Sequence, residues 1–109
     1  LARAALDKKA KDLIILDLKG LTIIADYFII CSGENITHVR AIAEGVEERS
    51  AKAGIRPLGV EGLNYSHWVL MDYSDVMLHI FEKETRGFYE LEKLWMDAKK
   101  ISLGEHDNE

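Results

Sequence analysis

Asp72 and Asp75 stand close together inside an otherwise apolar run, Trp68-Val69-Leu70-Met71-Asp72-Tyr73-Ser74-Asp75-Val76-Met77-Leu78-His79-Ile80-Phe81. Paired carboxylates can hold a divalent cation for phosphoryl transfer. Glu61 is the nearest candidate for a third carboxylate, and the matching reaction is nucleotidyl transfer with magnesium. That chemistry also needs a cradle for phosphate. Cys31-Ser32-Gly33 lies between a strand-like run and a helix-like one, a place where anions can bind. It carries a single glycine, Glu34 puts negative charge at its mouth, and neither Gly-x-Gly-x-x-Gly nor Gly-Lys-Ser/Thr occurs. A plain strand-to-helix turn is the simpler reading, and metal catalysis has weak support.

Other reactive types are no better placed. His38, His67, His79 and His106 show no ligand spacing, and two imidazoles alone do not fill a zinc site. His38 is expected on a helix surface, His106 in the tail, and His79 packed or at an interface beside Trp68. Ser32, Ser66 and Ser74 lack a Gly-x-Ser-x-Gly context. The one cysteine, Cys31, sits in an apolar run, where it reads as a small buried hydrophobe. One thiol gives no disulfide framework and fits a reducing cytosol.

The same run says more as structure than as chemistry. Its β-branched and aromatic residues, broken at residues 72–75, predict two antiparallel strands joined by a tight turn. With Tyr73-Ser74 as the loop, Asp72 faces Asp75, Leu70 faces Met77 and Trp68 faces His79. Alternation then sorts the side chains into two faces. Val69, Met71, Val76, Leu78 and Ile80 form an apolar face that needs helices over it. Trp68, Leu70, Asp72, Asp75, Met77, His79 and Phe81 form a mixed face. Two carboxylates side by side repel by roughly 0.2–1 kcal/mol, which an incoming cation would relieve. The mixed face is therefore either an ordinary half-buried surface covered by the rest of the chain, or a docking surface for a basic partner.

Composition bounds the partner. The 109 residues are 48% hydrophobic and 30% charged, with a net charge of −5. These are globular values, and one domain over residues 1–103 with a short acidic tail at 104–109 is expected. No basic stripe appears, so direct recognition of a nucleic-acid backbone is disfavoured. No apolar run reaches the length of a membrane span, and no signal-like segment is seen. The chain begins at Leu1 rather than Met, which leaves a preceding segment open.

In chain order, Ala-rich residues 1–11 predict a helix, and residues 11–18 and 26–31 predict two buried strands. Ser32 or Asn35 can cap the next helix, where Ile36, Val39, Ile42, Ala43 and Val46 make one stripe and Gly54 supplies the stop. Residues 55–60, with Pro57, suit a short edge strand. Phe88, Leu91, Leu94, Trp95 and Ala98 predict an amphipathic helix ending near Lys99-Lys100, with Phe88 and Trp95 in the core and Arg86 and Tyr89 bordering the mixed face. The result is an α/β fold, a mixed β-sheet with helices packed on it.

With these blocks assembled, the chain resembles the ribosomal silencing factor family, also called the Iojap family. The match rests on Asp17-Leu18-Lys19-Gly20, Ala25-Asp26-Tyr27-Phe28-Ile29-Ile30-Cys31-Ser32-Gly33, Glu61-Gly62, Trp68-Val69-Leu70-Met71-Asp72-Tyr73, Asp75-Val76, His79-Ile80-Phe81, Arg86, Tyr89, Leu91-Glu92, Leu94-Trp95 and Asp97-Ala98. The resemblance implies a nucleotidyltransferase-like fold without catalytic residues or cofactor. It implies a cytoplasmic translation repressor that binds large-subunit ribosomal protein L-fourteen, and through it the large ribosomal subunit, and sterically blocks subunit joining. Homodimers are implied too. Carried over to matching positions, the partner-binding residues are Glu61, Trp68, Asp72, Tyr73, Asp75, His79 and Arg86; the strand pattern adds Leu70 and Met77.

Overall fold

The computed structural model describes residues 1–101. A six-stranded mixed sheet is its centre, with strand order β3-β4-β5-β2-β1-β6. The strands are β1 (Lys11–Asp17), β2 (Tyr27–Gly33), β3 (Gly59–Glu61), β4 (Trp68–Asp72), β5 (Val76–Glu82) and β6 (Lys99–Ile101). β2 and β5 run parallel at the middle, and every other pairing is antiparallel. The parallel pair is possible because the chain crosses over between them through α2 (Ile36–Lys52).

One face of the sheet is closed by α1 (Ala2–Asp7) and α2. Val39, Ile42, Ala43 and Val46 fall at helical spacing on α2 and are fully buried against Ile29, Cys31, Val69, Met71, Leu78 and Ile80. Asn35 caps the helix, its side chain accepting the His38 N–H at 2.8 Å. The far end is a Schellman stop: Gly54 has φ +81, and the Ile55 N–H returns to the Ser50 carbonyl at 2.8 Å. Gly33 ends β2 so tightly against α2 that a Cβ there would meet Val39 at 2.8 Å. That contact, not phosphate binding, explains the lone glycine of Cys31-Ser32-Gly33.

The opposite face has a second core of Leu16, Leu18, Ala25, Phe28, Ile30, Phe81 and Leu91. Its cover differs from the long helix expected over residues 88–98. The chain instead forms α3 (Lys83–Tyr89), reverses at Glu90 with φ 48 and ψ 48, and continues as a 3₁₀ turn (Leu91–Trp95). The left-handed residue reorients the chain beyond it, so Leu91, Trp95 and Ala98 turn toward the sheet while Leu94 points to solvent, and Phe88 on α3 is left exposed before the turn. Phe88, expected in the core, is 81% exposed. Lys99-Lys100 does not close a helix; it lies in edge strand β6, beside Asp17 and Leu16 of β1. The expected strand at 55–60 is reduced to three residues after Pro57, which suits a residue that cannot donate to a ladder. The expected acidic tail and His106 fall outside the described residues.

The hairpin is real, with a different register. Trp68 pairs with Phe81, Leu70 with His79 and Asp72 with Met77. The turn centres on Ser74 and Asp75: the Tyr73 N–H reaches the Val76 carbonyl at 2.9 Å, and Ser74 takes φ +72. The Asp72 carboxylate holds that turn by accepting the Ser74 N–H at 2.8 Å. Asp72 and Asp75 are therefore not cross-strand partners. The repulsion expected between them is replaced by a carboxylate that closes its own turn.

Candidate interaction surface

The pairings lay out the mixed face as rows across the sheet. One row reads Glu61, Leu70, His79, Ile30 and Ile14. The next reads Gly59, Asp72, Met77, Phe28 and Leu16. A third carries Trp68, Phe81 and Ser32. The 3₁₀ turn covers the β1–β2 end of these rows, with Trp95 edge-on to Phe28 at 5.9 Å. Toward β3 the cover runs out. Trp68, Leu70, Asp72 and Met77 are half-buried, and Glu61 is exposed at the edge. These five make one continuous wall, apolar at its centre and acidic at its margin.

The remaining candidates separate from that wall. Asp75 is exposed in the turn, and its carbonyl accepts from the Asp26 and Tyr27 N–H groups. Tyr73 points to the helix-covered side, where its hydroxyl meets Ser50 Oγ of α2 at 2.8 Å; partial burial raises its pKa. His79 is only 5% exposed, so it lies beneath the wall, behind Trp68. Its Nδ1 accepts the Trp68 indole N–H at 3.1 Å, and its ring lies 4.6 Å from Phe28. Burial pushes its pKa down to about 4, so the ring is neutral near pH 7. The proton then sits on Nε2, which has no hydrogen-bond partner among the described residues.

Arg86 is likewise turned inward. Its guanidinium donates to the Asp12 carbonyl and Ser32 Oγ, both at 2.8 Å, and to Glu92 at 3.0 Å. It ties α3 to β1, β2 and the 3₁₀ turn, and its side chain is 11% exposed. One planar fork satisfies three acceptors on three elements through its Nε and Nη1 donors. The Cys31 thiol is buried, and desolvation pushes its pKa up to about 12, leaving it unreactive. Glu61, Asp72 and Asp75 are not assembled as ligands: among the described residues, no three His, Cys, Asp or Glu side chains are placed to hold a metal ion.

Beside the wall lies a groove of about 710 Å³, lined by Gly62, Tyr65, His67, Trp68, Glu82, Glu84, Thr85, Phe88 and Tyr89. Gly62 takes φ +84, and a Cβ there would collide with the Trp68 carbonyl oxygen, so glycine lets the 62–67 loop close against β4. The His67 ring meets Glu82 Oε1 at 2.8 Å, and that bond holds the Glu82 carboxyl below its usual range. Tyr89 packs 5.0 Å from Trp68 and Phe88 5.1 Å from Tyr89. Sequence reasoning missed this cluster because Phe88 fitted a helical stripe. Tyr65, an aromatic in a polar loop, was the available signal.

A family model described as ribosomal silencing factor during starvation matches residues 1–109. The chain belongs to the ribosomal silencing factor family. The Bacillus subtilis ribosomal silencing factor is 43% identical over 102 residues, spanning 94% of this chain and 86% of that protein. Among solved structures, a Chromobacterium violaceum protein aligns with a TM-score of 0.84 at 35% identity, over 92% of this chain and 82% of its own. A Bacillus halodurans protein aligns with a TM-score of 0.82 at 38% identity, over 93% and 91%. The fold of this silencing-factor chain is thus a mixed six-stranded sheet with three helices, and neither solved relative ties it to the nucleotidyltransferases. None of its described helices is long and apolar enough to cross a membrane.

Proposed function

We propose that this chain is a non-enzymatic, cytoplasmic translation repressor that binds the large ribosomal subunit through ribosomal protein L-fourteen and keeps the small subunit from joining. The observation that carries the reading is the wall of Trp68, Leu70, Met77, Asp72 and Glu61, left half-open where the 3₁₀ turn ends. Its apolar centre offers area to bury, and its carboxylates, with Asp75 nearby, are complementary to a basic protein. Occlusion is the whole mechanism: no bond is made or broken. Self-association of two copies belongs to the same reading, and sedimentation velocity of the chain alone tests it.

The deciding experiment is sedimentation with separated ribosomal subunits. The wild type is expected with the large subunit, while Leu70→Glu and Asp72→Lys are expected to lose about tenfold in affinity with unchanged circular dichroism. Trp68→Ala is a poorer probe, because it also strips His79 of its donor. Full retention of both wall variants, or saturable binding of nucleotide with magnesium, would count against the proposal.

A further inference from the structure

The groove beside the wall carries an inference that deepens the proposed function and rests on its basic partner. We propose that it receives an arginine side chain of that partner, held among the rings of Tyr65, Trp68, Phe88 and Tyr89 and paired with the carboxylates of Glu82 and Glu84. Tyr65 is 78% exposed and Phe88 81%, an unusual position for two large rings facing one cavity. Aromatic faces attract cations, and a guanidinium, planar and weakly hydrated, stacks on them better than an ammonium does.

The groove is also partly organised before anything binds. Trp68 is stacked on Phe81 at 4.7 Å, flanked by Tyr89 and tethered through its indole N–H to His79. A fixed ring costs less ordering on binding than a mobile one. Two carboxylates line the groove, and His67, its one basic lining group among the described residues, is already engaged with Glu82. An aliphatic guest would leave the Glu84 carboxylate facing apolar surface without a counter-charge. A second copy of this chain would arrive with a net charge of −5 of its own. A cation answers both objections.

The test is an NMR titration of the whole labelled chain with the blocked peptide Gly-Arg-Gly-Arg-Gly, against counterparts with lysine or citrulline in place of arginine. Saturable shifts are expected at the Trp68 indole N–H and at the amides of Tyr65, Glu84 and Phe88. Lysine should bind about threefold more weakly, and citrulline should produce no saturable shift. Phe88→Ala and Glu84→Gln, both at exposed positions, should each weaken the arginine peptide about fivefold without changing the fold. An equal response to citrulline overturns the inference. So does line broadening of the groove resonances with protein concentration alone, which would mean that a second copy covers them. Sedimentation with large subunits separates this inference from the function it rests on. If the Phe88→Ala/Glu84→Gln double variant sediments as well as wild type, the groove assignment falls and the ribosomal reading stands. If the wild type fails to sediment yet binds the arginine peptide, the ribosomal reading falls and the groove stands.

Discussion

The two faces of the sheet are built from alternate residues of the same strands, yet they are finished differently. On the helix side, Val69, Met71, Leu78 and Ile80 show no exposure and pack against an aliphatic stripe of α2. On the other side, the same strands present Trp68, Leu70, Asp72, Met77, His79 and Phe81 to a short 3₁₀ turn that covers only part of them. The first face supplies stability. The second retains buried polar atoms, an inward arginine and a half-open edge. The contrast shows where a small chain can leave surface for a partner: on the face whose cover is shortest.

The largest expected effect lies on the closed face. Met71→Ala removes a fully buried side chain from a packed layer and should cost about 2–5 kcal/mol in urea unfolding. A smaller loss would mean that this face is looser than its packing indicates.

Acid should act through the other face. His79 has a folded pKa of about 4 against an ordinary 6.5, so between those values the unfolded chain binds the extra proton. Stability is then fully present above about pH 6.5 and falls as the pH drops toward 4, by roughly 3 kcal/mol in all. His79→Gln should flatten that slope in unfolding measured across the window. An unchanged slope would move the titration elsewhere. Trp68 fluorescence of the folded chain should respond lower, around pH 4, where protonating Nδ1 removes the acceptor for its indole N–H.

Arg86 sharpens the contrast in a different way. Arg86→Gln should cost about 2 kcal/mol of stability by leaving the Asp12 carbonyl, Ser32 and Glu92 short of a donor. Where the variant remains folded, its sedimentation with large subunits should match wild type. Lost binding by a stable variant would return Arg86 to the partner surface.

Much of this was legible because alternation is a local signal. The register inferred for the hairpin was wrong by two residues, and an even error leaves every side chain on its correct face. Hence the wall of Leu70, Asp72 and Met77 was readable while the pairing of Asp72 with Asp75 was not. The turn itself carried no Asn-Gly or Asp-Gly to fix it, and Asp72 settles it through a side-chain contact that periodicity does not encode. The C-terminal region failed for a related reason. Glu90 in the left-handed region has no sequence signature comparable to glycine, so the helical stripe from Phe88 to Ala98 looked continuous. The inward turn of Arg86 depends on that misread segment through Glu92 of the 3₁₀ turn, so Arg86 was placed at the border of the mixed face. His79, read as packed or at an interface, is packed against Phe28 and Trp68.

The smallest effect is the sharpest comparison. Leu70 is the chain neighbour of Met71 and points to the opposite face, where it is half-buried beside Glu61 and His79. Leu70→Ala leaves no sealed cavity, since solvent already reaches the site, and should cost about 1 kcal/mol or less in the same urea experiment that tests Met71→Ala. The two leucine- and methionine-sized truncations differ little in the atoms they remove, so the gap between them measures cover alone. Binding should rank them the other way, with Leu70→Ala weakening sedimentation with the large subunit and Met71→Ala leaving it intact wherever the protein remains folded. Equal destabilisation by the two would mean that the wall is closed in solution, and a closed wall has no room for a partner.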